Sequence, residues 1–329
     1  MRKVRVAQIG TSALSHGASI LKSMRKQQEL FEVVGYALPE NEREKFPERM
    51  ADFDGLREMT VQEILADEAV EAVVIETEEI YLTKYALLAA QHEKHIHMEK
   101  PGGIDDKEFG RLIDTVEANG TVFHTGYMYR YNPAVVELLE KVERGELGKL
   151  ICVEAQMSCL HLNEVREWLA TFPGGMMFFL GCHLVDLVFR MMGRPTRVVP
   201  FNHSVTGGAA CDYGMAVLEY PSGASFVKTS AAEIGGFCRR QLVVTGTEGT
   251  AEIRPLEAFG DDGLHYTEVV YTKSREWAAR GDTVRTAQYD RYDAMMASFA
   301  AMVRGDKTNS YSYKYERELH TLILQCCGG

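Results

Sequence analysis

Short apolar runs and helix-period segments take turns along the first third of the chain. Val4–Ile9 is rich in β-branched residues and stops at Gly10, and a helical pattern follows over about Gly17–Gln28. Phe31–Leu38 is a second strand, Glu40–Ala51 a charged helix, Val61–Leu65 a short helix and Val70–Ile75 the next apolar strand. Tyr81–His92 carries helical apolar spacing at Leu82, Tyr85, Leu88 and Ala89. His95–Met98 is a strand, Asp105–Ala118 a helix with Asp105 as its N-cap, and Thr121–Thr125 a further strand. Strands alternating with helices at this spacing predict right-handed βαβ crossovers and a parallel sheet.

After about residue 125 the rhythm changes. Asn132–Arg144 is a helix started near Asn132-Pro133, Leu150–Ser158 a strand, and Gly175–Met192 a longer helix with a glycine inside it. Strand-like segments follow at Val198–Val205, Gly214–Tyr220, Ala224–Ala231, Arg240–Thr245 and Thr250–Arg254, with tight turns at Pro221-Ser222-Gly223 and Thr247-Glu248-Gly249. Two late helices, near Tyr289–Val303 and Tyr313–Leu324, close the chain. This second pattern predicts an antiparallel sheet with helices on one side. A chain of 329 residues suits two domains, here 1–124 and 125–329.

Composition narrows the function classes. There are 36 basic and 47 acidic residues for a net charge of -11, which disfavours nucleic acid and anionic membranes as partners. No run approaches the roughly 20 apolar residues that cross a bilayer, and the N-terminus enters a strand directly, so a cytoplasmic location is expected. The seven cysteines show no C-x-x-C pair, which suits reduced thiols and no metal site. His95 and His97 share a strand face, where packing explains them better than metal binding.

Five segments carry candidate chemistry. The loop Gly10-Thr11-Ser12-Ala13-Leu14-Ser15-His16-Gly17 keeps the first glycine of a G-x-G-x-x-G dinucleotide fingerprint and places Ser12 and Ser15 at the other two positions. Small residues there let the backbone approach a pyrophosphate; a bare βα turn is the alternative. The second strand ends in Leu38, which cannot bond a ribose hydroxyl, although Glu40 or Asn41 stand within reach and Arg43 is near. Selection between NAD and NADP is not readable from these residues. Glu99-Lys100-Pro101 follows the fourth strand, so Lys100 stands at the sheet end where open α/β sheets bind ligands. An ammonium there stabilises charge developing on a substrate oxygen. His183, in Gly181-Cys182-His183-Leu184-Val185-Asp186, is an acid/base candidate, with Asp186 three residues on along a helix. Tyr127 to Asn132 is an aromatic and polar cluster that suits either a sugar-like ligand or packing.

The chain resembles the glucose-fructose oxidoreductase/inositol dehydrogenase (Gfo/Idh/MocA) family over nearly its whole length. The likeness rests on the Gly10 loop, Val70–Ile75, Glu99-Lys100-Pro101, Gly126 through Tyr129-Arg130-Tyr131-Asn132-Pro133, Gly145-Glu146-Leu147-Gly148, Gly174-Gly175 and Gly181 to Asp186. It implies an N-terminal Rossmann domain and a C-terminal α+β domain with a large, mainly antiparallel open sheet that mediates a homodimer or homotetramer. It implies NAD or NADP as cofactor and a sugar, polyol or related secondary alcohol or carbonyl as substrate. By the resemblance Lys100 and His183 are catalytic. Gly10, Thr11, Ser12, Ala13, Leu38, Thr77, Glu99 and Lys100 hold the cofactor. Lys100, Tyr129, Asn132, His161 and His183 contact substrate.

The chain also departs from that family. Phe179 stands where an Asp usually precedes the histidine by four residues, and Leu169 follows Trp168 where an Arg is common. Thr77-Glu78-Glu79-Ile80-Tyr81-Leu82 replaces a T-P-N-x-x-H loop, and its carboxylates would repel phosphates if they faced them. Asp186, Glu164 and Glu167 are candidate substitutes for the missing Asp. Since the departures fall at cofactor and catalytic positions, a sugar-sensing or partner-binding member without turnover is the alternative function. Cofactor-assisted glycoside cleavage, with Glu78 and Glu79 as its carboxylates, is a third.

Overall fold

The computed structural model describes residues 2–329. Contacts divide them into two units, residues up to Tyr127 with Tyr292–His320, and Met128–Arg291 with Thr321–Gly329.

The first unit is built as β1 Val4–Ile9, α1 Gly17–Lys26, β2 Phe31–Ala37, α2 Glu42–Lys45, α3 Val61–Ala66, β3 Ala72–Ile75, α4 Leu82–Gln91, β4 His95–Met98, α5 Asp106–Asn119 and β5 Phe123–Thr125. The strands form one parallel sheet in the order β2-β1-β3-β4-β5. Every residue of β3 is buried, as expected of a strand covered on both faces. Ile9, Val73, Ile75, Ile96 and Met98 pack with Leu82, Ala86, Phe109, Leu112 and Phe123 in one core. Asp105 caps α5 through the amides of Lys107 and Glu108, at 2.8 and 2.9 Å.

The segment read as one charged helix over Glu40–Ala51 is broken. Glu40 and Asn41 adopt left-handed φ of 58° and 57°. The helix α2 then lasts four residues, and a tighter 3₁₀ turn runs over Pro47–Phe53. Proline at the first position of that turn removes the donor that would have continued α2.

Register fixes the functional edge of the sheet. Ile9 is level with Ala37 and Ile75, Ile75 with Met98, and Met98 with Thr125. The residues that follow, Leu38, Gly10, Glu76, Glu99 and Gly126, therefore stand in a row along the carboxyl ends of the strands. The chain reverses direction of winding between β1 and β3, the switch point where open α/β sheets bind ligands.

The second unit contains α6 Pro133–Glu143, β6 Leu150–Ser158, α7 Asn163–Trp168, α8 Cys182–Met192, β7 Arg197–His203, β8 Tyr213–Tyr220, β9 Gly223–Ser230, β10 Gln241–Gly246, β11 Thr250–Ile253, β12 Ala258–Phe259, β13 His265–Tyr266, β14 Glu268–Thr272 and β15 Thr283–Arg285. Eight of the strands form a sheet in the order β15-β14-β11-β10-β6-β9-β8-β7. Only β6 and β9 in it run parallel. The sequence pattern had ended its strands at Arg254; β14 and β15 extend the sheet beyond that, and β15 is exposed throughout, so it lacks an apolar signal. Strict alternation of buried and half-buried residues in β8 marks one covered and one open face, and α8 packs against β6 and β9. The helix foreseen over Gly175–Met192 begins as a π-turn, Met177–Gly181, before α8. Two helices complete the chain, α9 Asp293–Val303 in the first unit and α10 Tyr313–Cys326.

Candidate active site

On the first unit, the Gly10 loop closes tightly against the loop after β3. Gly10 has φ +92°, and a Cβ on it would lie 2.4 Å from Thr77 Cγ2 and 2.6 Å from Thr77 N. Only glycine satisfies both conditions. Thr77, expected at the cofactor, is fully buried beneath Gly10. Thr11 and Ser12 are buried and Ala13 is exposed. The serines at the second and third fingerprint positions bond each other's backbone: Ser15 N donates to Ser12 Oγ at 3.0 Å and Ser12 N to Ser15 Oγ at 3.3 Å. Thr11 N donates to Glu42 Oε2 at 3.2 Å.

Along the same edge stand four buried carboxyls and one lysine. Glu76 and Glu42 are fully buried, and Glu79 and Glu99 are 2% exposed. Lys100 is 3% exposed, with Nζ 3.9 Å from Glu99 Oε1. Glu99 Oε1 also accepts from the Lys100 amide at 2.9 Å. Both oxygens of Glu76 and one each of Glu42, Glu79 and Glu99 lack a hydrogen-bond partner. Burial is the main cause that raises all four acids. Glu42 goes to about 9. Glu79 goes to about 7, with Lys100 opposing. Glu76 rises well above its ordinary range, helped by Glu99 and Glu79. Glu99 rises against the pull of Lys100.

These residues fit a dinucleotide. The fingerprint loop carries only small side chains over its buried positions, at the start of α1. The buried acids are held toward their neutral forms, so their number does not become repulsion. Of the two carboxylates expected to face phosphates, Glu78 is paired with Lys45 at 2.7 Å and Glu79 is buried. Orphaned polar atoms at a sheet switch point are what a site looks like before its ligand satisfies them.

The second unit carries His183 at the start of α8, directly after the π-turn. Such turns concentrate at functional sites because they re-aim side chains. A Cβ on Gly181, within that turn, would lie 2.5 Å from Met177 Sδ. The His183 ring, 1% exposed, meets Tyr129 edge to face at 5.2 Å. Tyr129 donates its hydroxyl to Glu257 and accepts from Arg240 at 3.0 Å. Glu257 also pairs with Arg240 at 2.6 Å and Arg291 at 2.7 Å. Burial works against its charge, but Arg291 and Arg240 hold it below the usual carboxylate range. Asn132 caps α6 through the Ala134 amide at 2.9 Å, and its Nδ2 reaches Leu256 O, Thr267 Oγ1 and Tyr289 Oη at 3.0, 2.8 and 2.8 Å. It anchors the turn that presents Tyr129. His161 is half-buried, its ring 6.3 Å from Phe179 and its pKa lowered by burial, Arg240 and Arg166.

The position of the missing Asp is apolar in its surroundings as well as its identity. Phe179 meets Trp168 edge to face at 5.1 Å, and Trp168 meets Phe172 at 4.7 Å. Of the candidate substitutes, Asp186 is taken up by Arg130, whose Nε and Nη2 reach it at 3.0 and 2.7 Å. Glu164 is exposed on α7, and Glu167 lines an open cleft of about 280 Å³ with Asn163, Arg166 and Asp212.

Sequence reasoning missed the buried Glu42 and Glu76 and the Arg240–Glu257–Arg291 group. Glu76 could have been found, since it directly follows β3 and so belongs to the edge row. Among the described residues, no group of three or more His, Cys, Asp or Glu is arranged to hold a metal ion, and no helix is long and apolar enough to cross a membrane.

Comparison with known proteins agrees with this architecture. Residues 4–127 match the oxidoreductase family with an NAD-binding Rossmann fold, and residues 135–252 match the GFO/IDH/MocA C-terminal domain. An uncharacterized oxidoreductase of Rhizobium meliloti is 27% identical over 310 residues, covering 92% of this chain and 90% of that protein. A D-xylose 1-dehydrogenase (NADP(+)) of Haloferax volcanii is 27% identical over 266 residues, covering 80% and 77%. The solved levoglucosan dehydrogenase in complex with NADH and levoglucosan superposes with a TM-score of 0.81 at 18% identity, covering 99% of this chain and 98% of that one. The chain belongs to the glucose-fructose oxidoreductase/inositol dehydrogenase family of NAD(P)-dependent oxidoreductases.

Proposed function

We propose that this oxidoreductase interconverts a secondary alcohol and a carbonyl on a sugar, polyol or related small molecule, with Lys100 and His183 as its catalytic residues. One observation carries most of the weight: a buried lysine stands among unsatisfied carboxyls at the carboxyl edge of a parallel sheet, beside the switch point. The nicotinamide cofactor, when bound, supplies hydride acceptance or donation. Gly10, Thr11, Ser12, Ala13 and Thr77 shape its loop, Leu38 borders the ribose end, and Glu99 and Lys100 border the reacting end. Lys100 holds the reacting oxygen and stabilises negative charge on it. His183 takes or returns the hydroxyl proton, its ring fixed by Tyr129. His161 and Tyr129 supply polar contacts to the sugar-like substrate, and Asn132 holds Tyr129 in place. No observation favours a member without turnover or one that cleaves glycosides.

We further propose a cytoplasmic homodimer or homotetramer formed through the open face of the second unit's sheet. Phe201, 43% exposed and level with the half-buried Met215 of β8, is a large apolar side chain on that face that an interface would cover. Light scattering on the purified protein measures this directly.

The test of the catalytic assignment is a screen of polyols, sugars and their keto forms, followed by Lys100→Ala on the best substrate. Turnover is expected to fall by about 10²–10⁴, with dinucleotide affinity retained. Unchanged turnover in the variant would remove Lys100 from the chemistry.

A further inference from the structure

The segment that follows β2 decides which dinucleotide a fold of this kind accepts, because the adenosine ribose lies against it. Selection of NAD needs a carboxylate there to accept from the ribose hydroxyls. In the turn over residues 38–42 that directly follows β2, none remains available. Leu38 has no acceptor. Glu40 is turned to α4, where its carboxylate accepts from Tyr85 Oη at 2.7 Å and pairs with Lys84. Glu42 points inward, accepts from the Thr11 amide and is held toward its neutral form by burial.

The cations of the same region are not equivalent. Arg43 is paired with Glu58 and donates to Tyr36 Oη. Lys45 is paired with Glu78, and Lys84 with Glu40. Arg49, in the Pro47–Phe53 turn that packs on α1, is different. Its Nη2 donates to the carbonyl of Ala13, inside the fingerprint loop itself. Among the described residues no carboxylate is paired with it, and its Nε is buried without a hydrogen-bond partner. A guanidinium fixed against the phosphate-binding loop, with an orphaned donor and no counter-charge, is built to receive an anion. Its planar fork suits a phosphate group, which it grips through two donors.

We propose that Arg49 recognises the 2′-phosphate of NADP(H) and makes this enzyme select the phosphorylated dinucleotide over NAD(H). This rests on the dinucleotide-dependent function proposed above. The two structural facts act in the same direction: the carboxylates of the turn directly after β2, Glu40 and Glu42, are engaged elsewhere, and a donor that would favour a 2′-phosphate is uncompensated. Arg49 acts through binding and has no part in the chemical step.

Calorimetric titration tests it with NADP⁺, NAD⁺, adenosine 2′,5′-bisphosphate and 5′-AMP, on the full-length protein and on Arg49→Ala, Arg49→Lys and Arg43→Ala. Circular dichroism confirms that each variant is folded. The expected result is that the wild type binds NADP⁺ at least about tenfold more tightly than NAD⁺, and the bisphosphate more tightly than 5′-AMP by a similar factor. Arg49→Ala removes both differences and leaves NAD⁺ affinity within about twofold, Arg49→Lys keeps part of them, and Arg43→Ala keeps them whole. Equal or tighter NAD⁺ binding by the wild type overturns the proposal while leaving a dinucleotide enzyme. Equal weakening of NAD⁺ and NADP⁺ in Arg49→Ala also overturns it, since Arg49 would then hold the shared pyrophosphate. Failure of every dinucleotide to bind the folded wild type removes the underlying function as well.

Discussion

In the second unit, buried acids are answered. Asp186 lies against the fork of Arg130, and Glu257 sits between Arg240 and Arg291 with the Tyr129 hydroxyl completing its shell. In the first unit, Glu42, Glu76, Glu79 and Glu99 are buried about as deeply, yet Lys100 answers only the last three, and five oxygens across the four lack hydrogen-bond partners. Both arrangements solve the cost of burying a carboxyl, one by pairing the charge and the other by suppressing it. Pairing serves architecture: it locks the helix α8 and the turn that holds Tyr129. Suppression leaves polar groups unsatisfied, a cost that folded proteins tolerate mainly where a ligand completes the site. The contrast therefore singles out the first unit's edge as the place where polar groups await a partner, and the second unit's ion pairs as support for the turn that carries Tyr129.

The largest effect should come from breaking an answered pair. Asp186→Ala removes a buried charged partner of Arg130 and should cost about 3–5 kcal/mol, read as a drop in melting temperature or urea midpoint. A loss near zero would show that the pair holds nothing in place. The mirror experiment is Glu76→Met, which replaces a carboxyl with no partners by an apolar chain of similar length. It should stabilise the protein by about 1–3 kcal/mol near neutral pH while weakening dinucleotide binding. Destabilisation instead would mean that Glu76 is structurally satisfied and that the contrast is false.

A third test uses pH. Glu79 at about 7 and Glu42 at about 9 both bind their protons more tightly in the folded protein than at an ordinary 4.5. Their contribution to stability is then complete below that ordinary value and is lost as pH rises through the folded values. Melting temperature should fall from about pH 5 to about pH 9, and Glu42→Gln with Glu79→Gln should flatten the slope. An unaltered slope in the double variant would place the titration elsewhere. The smallest expected effect is at Asn132. Asn132→Asp keeps the cap but gives up the Nδ2 donor, and should cost about 1–2 kcal/mol of stability while raising KM through Tyr129.

Much of the fold was legible because burial on both faces of β1, β3 and β4 forces runs of apolar residues, and because Asp105 and Asn132 announce their helices. The helix expected over Glu40–Ala51 failed for a local reason, two left-handed residues and a proline that sequence periodicity does not weigh. The edge strand β15 was invisible because it buries nothing. At the site, Lys100 and His183 stood out through their neighbours in sequence. Glu42 did not, because a glutamate in a charged segment looks like a solvated one until the chain turns it inward onto Thr11. The Arg240–Glu257–Arg291 group is assembled from β10 and two later loops, and no short-range pattern encodes it.

The most direct test of the first unit's role is a titration of NAD⁺, NADH, NADP⁺ and NADPH into the purified protein, followed by heat of binding. Micromolar binding of at least one, lost or strongly weakened in Glu76→Met, is the predicted result. Absence of binding by all four would contradict it and would make the unsatisfied carboxyls a closed edge with no dinucleotide to complete them.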